Sequence, residues 1–67
     1  MSENLWWGYR HQSGTVQAKR FFGDRASIND AYESDFIIEV VEPFAAGTRE
    51  EALAVVTRST GKDTLNG

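Results

Sequence analysis

The side chain best suited to acid–base or metal chemistry is His11, the only histidine of the 67-residue chain. Catalysis by an imidazole needs a nucleophile beside it, and the sequence contains no cysteine. No serine lies in the Gly-x-Ser-x-Gly context of a hydrolase. A single histidine without cysteine also lacks the ligands of a zinc site. We therefore predict that His11 is structural and that the chain has no catalytic and no metal site.

Pairs of carboxylates could also exchange protons if a cleft held them together. The Thr48–Glu51 segment is better explained as a helix-capping box, and the acids of residues 30–33 as a solvated helix face. Glu39 stands among apolar residues, so we expect it to pair with Arg10 or Lys19. Since phosphate, dinucleotide and calcium loops are also missing from the sequence, we predict a non-enzymatic protein that needs no cofactor.

Aromatic and basic residues are concentrated in two neighbouring segments, residues 5–12 (LWWGYRHQ) and 15–22 (TVQAKRFF). Both read as strands, and a tight turn at Ser13-Gly14 would pair Gln12 with Thr15. Neighbours in a strand point to opposite faces, so the more apolar face, with Trp7, is assigned to the core. The other face is open and contains the candidate partner-binding residues, which are Trp6, Arg10, Gln17, Lys19 and Phe21.

This open face predicts binding of a partner. Trp, Phe and Arg are enriched at the centres of protein interfaces, so a protein is the first choice. Aromatic and basic residues on a sheet are also typical of platforms for single-stranded nucleic acid, which gives the alternative of a nucleic-acid accessory protein. The net charge of −3 and the pI near 4.9 disfavour that alternative. A third hypothesis is that the acidic residues 30–51 act as a decoy for a nucleic-acid site of another protein.

The remaining pattern predicts the elements that carry this face. One helix is expected from Asp24 or Ser27 to about Ser34, and a second from Thr48 to about Ser59. The β-branched run 36–42 predicts a strand, central or buried on both faces, that ends at Pro43.

These elements give an α+β fold of order β-β-α-β-α, a three-stranded sheet with both helices packed on one face. The third strand lies antiparallel beside the first or parallel beside the second. We expect one domain over residues 1–59 and a flexible tail over 60–67. An uncovered edge of the third strand could pair with a second copy of the chain.

Targeting signals are also missing from the sequence. Its first residues lack the positive region and apolar run of a signal peptide, and no apolar run approaches the roughly 18 residues of a membrane span. The lack of cysteine fits a reducing compartment. We expect a soluble cytoplasmic protein without a membrane partner.

Residues 6–56 resemble short uncharacterised proteins encoded by bacteriophages and prophages. The resemblance rests on three segments, which are WWGYRHQSGTVQAKRFF, SINDAYESDF and EPFAAGTREEALAVV. It implies a phage gene product in a bacterial cell or in a virion, where the partner would be a host or phage protein. A structural component of the virion is a further alternative. The resemblance supplies no activity and no catalytic residue.

Overall fold

The computed structural model describes residues 4–61 and has the element order β-β-α-β-α. The strands are β1 (Asn4–His11), β2 (Val16–Arg20) and β3 (Ile37–Ala46), and the helices are α1 (Ala26–Glu33) and α2 (Arg49–Thr60). β1 lies between β2 and β3 and is antiparallel to both. The α+β class, the element order and the antiparallel placement of the third strand are confirmed, and the parallel alternative is wrong.

The register of the hairpin differs from the prediction by one residue. Tyr9 lies opposite Gln17, one residue earlier in β2 than predicted. The loop comprises residues 12–14, and the Gly14 N–H donates to the His11 carbonyl oxygen at 2.8 Å. Gly14 has φ 97°, the left-handed conformation that commonly closes a three-residue hairpin loop. The shift moves every side chain of β2 to the other face relative to β1.

The two helices cover opposite faces of the sheet, so their predicted placement on one face is wrong. α2 packs on the face of Trp6, where Val56 is fully buried. α1 packs on the face of Trp7, where Ile28 is fully buried. Because adjacent strand residues point to opposite faces, each tryptophan has its own helix to cover it. A single layer of helices would leave one of them in water.

β3 is an edge strand and continues through Pro43, so two predictions for it are wrong. Pro43 lies where the pairing of β3 with β1 shifts register, opposite Trp6 to Gly8. At such a bulge of an edge strand the missing N–H interrupts no ladder. The apolar run does contribute to both faces, since Val40 packs under α1 and Val41 under α2. The predicted burial on both faces is only partial, since Val40 and Val41 are half-buried and Ile38 is 62% exposed.

A side-chain cap begins α2 but not α1, whose N-cap is Arg25, so the predicted cap of the first helix by Asp24 or Ser27 is wrong. Asp24 accepts a hydrogen bond from the N–H of Ala26 at 2.9 Å, ahead of α1. Thr48 Oγ1 accepts from the N–H of Glu51 at 3.1 Å, which confirms the predicted cap of α2. The Glu51 carboxylate reaches back to the N–H of Gly47 at 2.9 Å and not to Thr48.

The end of α2 is packed into the domain. Thr60 is buried, and its hydroxyl donates to the carbonyl oxygen of Val56 at 2.8 Å. Thr60, the first residue of the predicted tail over 60–67, is therefore part of the domain. Residues 62–67 of that predicted tail lie outside the part of the chain that the structure describes.

α1 is tied to β3 by the carboxylate of Glu42, which accepts bonds from Arg25 at 3.1 and 3.3 Å and from the Tyr32 hydroxyl. These bonds, that of Arg25 first, lower the pKa of Glu42 below its ordinary range. A lowered carboxyl pKa contributes stability that is present above the ordinary value, about 4.3, and is lost as pH falls through the lowered pKa.

Replacement of Glu42 by glutamine should therefore make the protein less stable at neutral pH, with the difference disappearing as pH falls below about 4. Urea denaturation of both proteins at a series of pH values measures this convergence. Glu33→Gln on the exposed side of α1 is the matched control and should follow the parent protein. A Glu42→Gln curve parallel to that of the parent at every pH would contradict the assignment.

Candidate functional site

The five predicted partner-binding residues do not share an open face. Trp6 and Arg10 lie on the α2 face of the sheet, whereas Gln17, Lys19 and Phe21 lie on the α1 face. The predicted common face is wrong because it depended on a two-residue hairpin loop.

Trp6 belongs to the core. Its side chain is 7% exposed and packs against Ala52 and Val56 of α2. Its indole N–H donates to the carbonyl oxygen of Ala46 at 3.1 Å, so the polar atom is satisfied within the chain. The Arg20 guanidinium lies over the ring at 5.5 Å and covers it from solvent.

Arg10 joins the hairpin loop to the end of α2. Its Nε donates to Thr60 Oγ1 at 2.9 Å and its Nη1 to the carbonyl oxygen of Gly14 at 3.2 Å. This places a cation beside the last turn of a helix, where the dipole favours positive charge. Glu39 lies opposite Arg10 in the ladder but is exposed. Within residues 4–61 the ion pair is that of Arg25 with Glu42, so the predicted pairing of Glu39 is wrong.

Of the other three residues, Lys19 lines a groove between α1 and β2, whereas Gln17 and Phe21 are not among the residues that line it. α1 has eight residues and contacts mainly β3. It therefore leaves uncovered the half of this sheet face that belongs to β2. The groove has a volume of about 270 Å³. Trp7 and Tyr9 of β1 form its floor, Lys19 of β2 one wall, and Ser27 and Asp30 of α1 the other.

The groove offers aromatic surface beside a free cation. The rings of Trp7 and Tyr9 are 5.7 Å apart, but Trp7 is 4% exposed, so Tyr9 provides the accessible ring. Gln17 lies opposite Tyr9 in the ladder and is half-buried. Lys19 is exposed and forms no ion pair within residues 4–61. The arrangement can hold an apolar side chain against Tyr9 and an anionic group at Lys19.

The predicted core position of Trp7 is confirmed, since this residue is 4% exposed. Tyr9 was predicted to lie in the core with it but is half-buried, so the groove floor was not predicted. Phe21 is half-buried and packs on the same cluster as Trp7, so its contribution is mostly structural. His11 accepts a bond at Nδ1 from the N–H of Ser13 at 3.1 Å and stacks on Phe36 at 6.2 Å. Those contacts place the imidazole at the hairpin loop, away from the groove.

Comparison with family models, with curated proteins and with solved structures finds no match to this chain. Across residues 4–61 no helix combines the length and apolar character needed to cross a membrane. That same stretch contains no group of three His, Asp or Glu side chains that could hold a metal ion. The groove and the charges around it are therefore the features from which a function can be proposed.

Charge is divided between the two edges of the sheet. At the β2 edge, Lys19, Arg20 and Arg49 line a shallow depression of about 410 Å³. Toward the other edge the acidic residues of α1, of β3 and of the loop between them are exposed, namely Glu33, Asp35, Glu39 and Glu42. The β2 edge is therefore basic in a protein whose net charge is −3.

Proposed function

We propose that this chain is a non-enzymatic protein-binding module, encoded by a phage or prophage, whose groove between α1 and β2 holds a segment of a host or phage protein. The observation that supports this proposal is the uncovered half of the α1 face, where Tyr9 and Lys19 line a groove beside the helix. Tyrosine gives a large contact area at small entropic cost, and an uncovered sheet face is a common peptide-binding surface.

The charges define the chemistry of the segment. The Lys19 ammonium would attract a carboxylate of the segment, and the aromatic rings of the groove floor would contact an apolar side chain next to it. Asp30 on the opposite wall would repel a second acid and so sets the direction in which the segment lies. We infer a short segment with one acidic and one apolar side chain as the ligand.

A nucleic-acid accessory protein is the second candidate, and the basic β2 edge favours it. Arg20 lies 5.0 Å from the ring of Phe22, which is 80% exposed and could stack on a base. Lys19 and Arg49 are close enough to line the same depression and could meet phosphates. The net charge opposes this candidate, since it repels the backbone of nucleic acids at long range.

Charge reversal at two adjacent residues of β2 separates the candidates. Lys19 belongs to the groove, whereas Arg20 points to the opposite face of the same strand. We expect Lys19→Glu to reduce capture of the partner about tenfold or more, because it places like charges in contact. Arg20→Glu carries the same change of charge and should leave capture nearly unchanged. The measurement is affinity capture from a bacterial lysate, with and without nuclease.

Each possible result of this experiment supports one of the two candidates or overturns the groove proposal. One specific protein, kept after nuclease and by Arg20→Glu but lost in Lys19→Glu, would support the groove as a protein-binding site. Capture lost on nuclease treatment and in both variants would favour the nucleic-acid candidate, whose affinity should fall steeply with salt. Equal capture by all three proteins would overturn the groove proposal.

A further inference from the structure

The outer side of α2 has a pattern of charges that the groove does not use. Ala52, Val56 and Thr60 point to the sheet and are buried. On the opposite side of the helix a shallow depression of about 510 Å³ is lined by Glu50, Leu53, Ala54, Thr57 and Arg58. Its apolar residues are Ala54, which is exposed, and Leu53, which is half-buried because it also packs against the core.

Three of these residues form a stripe with opposite charges at its ends. Glu50, Ala54 and Arg58 are four residues apart, so they lie above one another on one helix face. The stripe is about 12 Å long. Glu50 and Arg58 are exposed and have no ion pair within residues 4–61, where Glu42 pairs with Arg25. The two unpaired charges are equally distant from Ala54.

We propose that α2 binds α2 of a second copy of this chain, antiparallel, with the two-fold axis at Ala54. This arrangement places Glu50 of each copy against Arg58 of the other, so both charges of both copies are paired. The alanine lets the helix axes approach to about 8 Å, and Leu53 fills the space beside it. A parallel pair would place like charges together, so the charges select the antiparallel orientation.

The same geometry disfavours the predicted pairing of β3 edges. β3 contains Pro43 and two register shifts in its pairing with β1, and such irregularities of an edge strand discourage other strands from adding to the sheet. The α2 surface has no such obstacle. It lies on the opposite side of the sheet from the groove, so dimerisation leaves both grooves free. A dimer would be bivalent and would gain avidity for a repeated partner.

The contact is small, so the dimer should be weak, with a dissociation constant on the order of micromolar or above. Sedimentation equilibrium of the full chain from about 10 µM to about 1 mM, at low salt, measures it. Glu50→Arg alone and Arg58→Glu alone each place two pairs of like charges in the interface. We expect each single variant to weaken dimerisation about tenfold or more, and the double variant to restore it.

Controls separate this result from effects on folding or net charge. Glu33→Arg on α1 makes the same change of net charge as Glu50→Arg and should leave the association unchanged. Circular dichroism melting of every variant shows whether α2 is intact. A parent protein that is monomeric at about 1 mM, or a double variant that associates no better than the single variants, would overturn the proposal. Because Lys19 is outside this surface, failure here leaves the groove proposal intact.

Discussion

Replacement of Trp6 by alanine should remove a large part of the free energy of unfolding of this protein at 25 °C. The ring is 7% exposed under α2, and its loss leaves a cavity and an unpaired carbonyl oxygen at Ala46. Truncation of a buried tryptophan costs about 3–5 kcal/mol. A chain of this size has a total free energy of unfolding of about 3–10 kcal/mol. Urea denaturation followed by circular dichroism measures the loss.

Phe22→Ala is the matched control for this variant. Phe22 shares the Arg20 guanidinium with Trp6 but is 80% exposed, so its truncation should change stability by less than about 0.5 kcal/mol. A Trp6→Ala protein with the urea midpoint of the parent would contradict the burial of this ring. The comparison matters for function too, because lost binding in a Trp6 variant would report unfolding and not a missing contact.

The elements of this fold follow from local signals in the sequence. Thr48 and Glu51 are three residues apart, a spacing that closes a cap without help from the rest of the chain. The run 37–42 is β-branched and too short for a helix, so it predicts a strand wherever it packs. Gly14 marks the hairpin because few other residues adopt its φ of 97°. These signals were sufficient for the element order and the fold class.

The register could not be predicted from the same signals, because the loop sequence fits a two-residue or a three-residue turn. Tertiary packing decides between them. In the observed register Gly8 lies opposite Ala18, and these two small residues leave a shallow depression on the α2 face. The Val56 side chain packs into that depression. The pairing of two small residues on one face of the hairpin is the sequence signal that could have predicted a helix on that face.

The candidate site depended on that register and on the position of α1. Once β2 shifts by one residue, Lys19 and Gln17 join Tyr9 on one face and leave Trp6 and Arg10 on the other. The groove exists because α1 packs toward β3 and not across the whole face. No spacing in residues 24–34 reports where along the sheet this helix lies, so the groove could be found only in three dimensions.

Replacement of Gly8 by alanine tests the close packing of β1 against both β2 and α2. An added Cβ would lie 2.3 Å from Val56 Cγ2 and 2.4 Å from the carbonyl oxygen of Gln17. Val56 could rotate away, but the backbone oxygen cannot move without straining the pairing of β1 with β2. We expect a loss of about 1–3 kcal/mol or more, and a fall in Tm of about 4–8 °C for each kcal/mol. Val56→Ala in the same chain should not restore the parent Tm.

The direction of the change in stability caused by Gly8→Ala distinguishes a closed site from an open one. Where space is available, alanine in place of glycine stabilises a protein by about 0.4–1 kcal/mol, because the unfolded chain loses freedom. Gly47→Ala is the control, since its Cβ would meet only the flexible Glu51 carboxylate, at 3.1 Å. We expect its Tm to stay close to that of the parent. A Gly8→Ala protein more stable than the parent would show that Val56 and the Gln17 carbonyl oxygen do not close the space above Gly8, and the observed pairing of β1 with β2 and the packing of α2 on it would have to be revised.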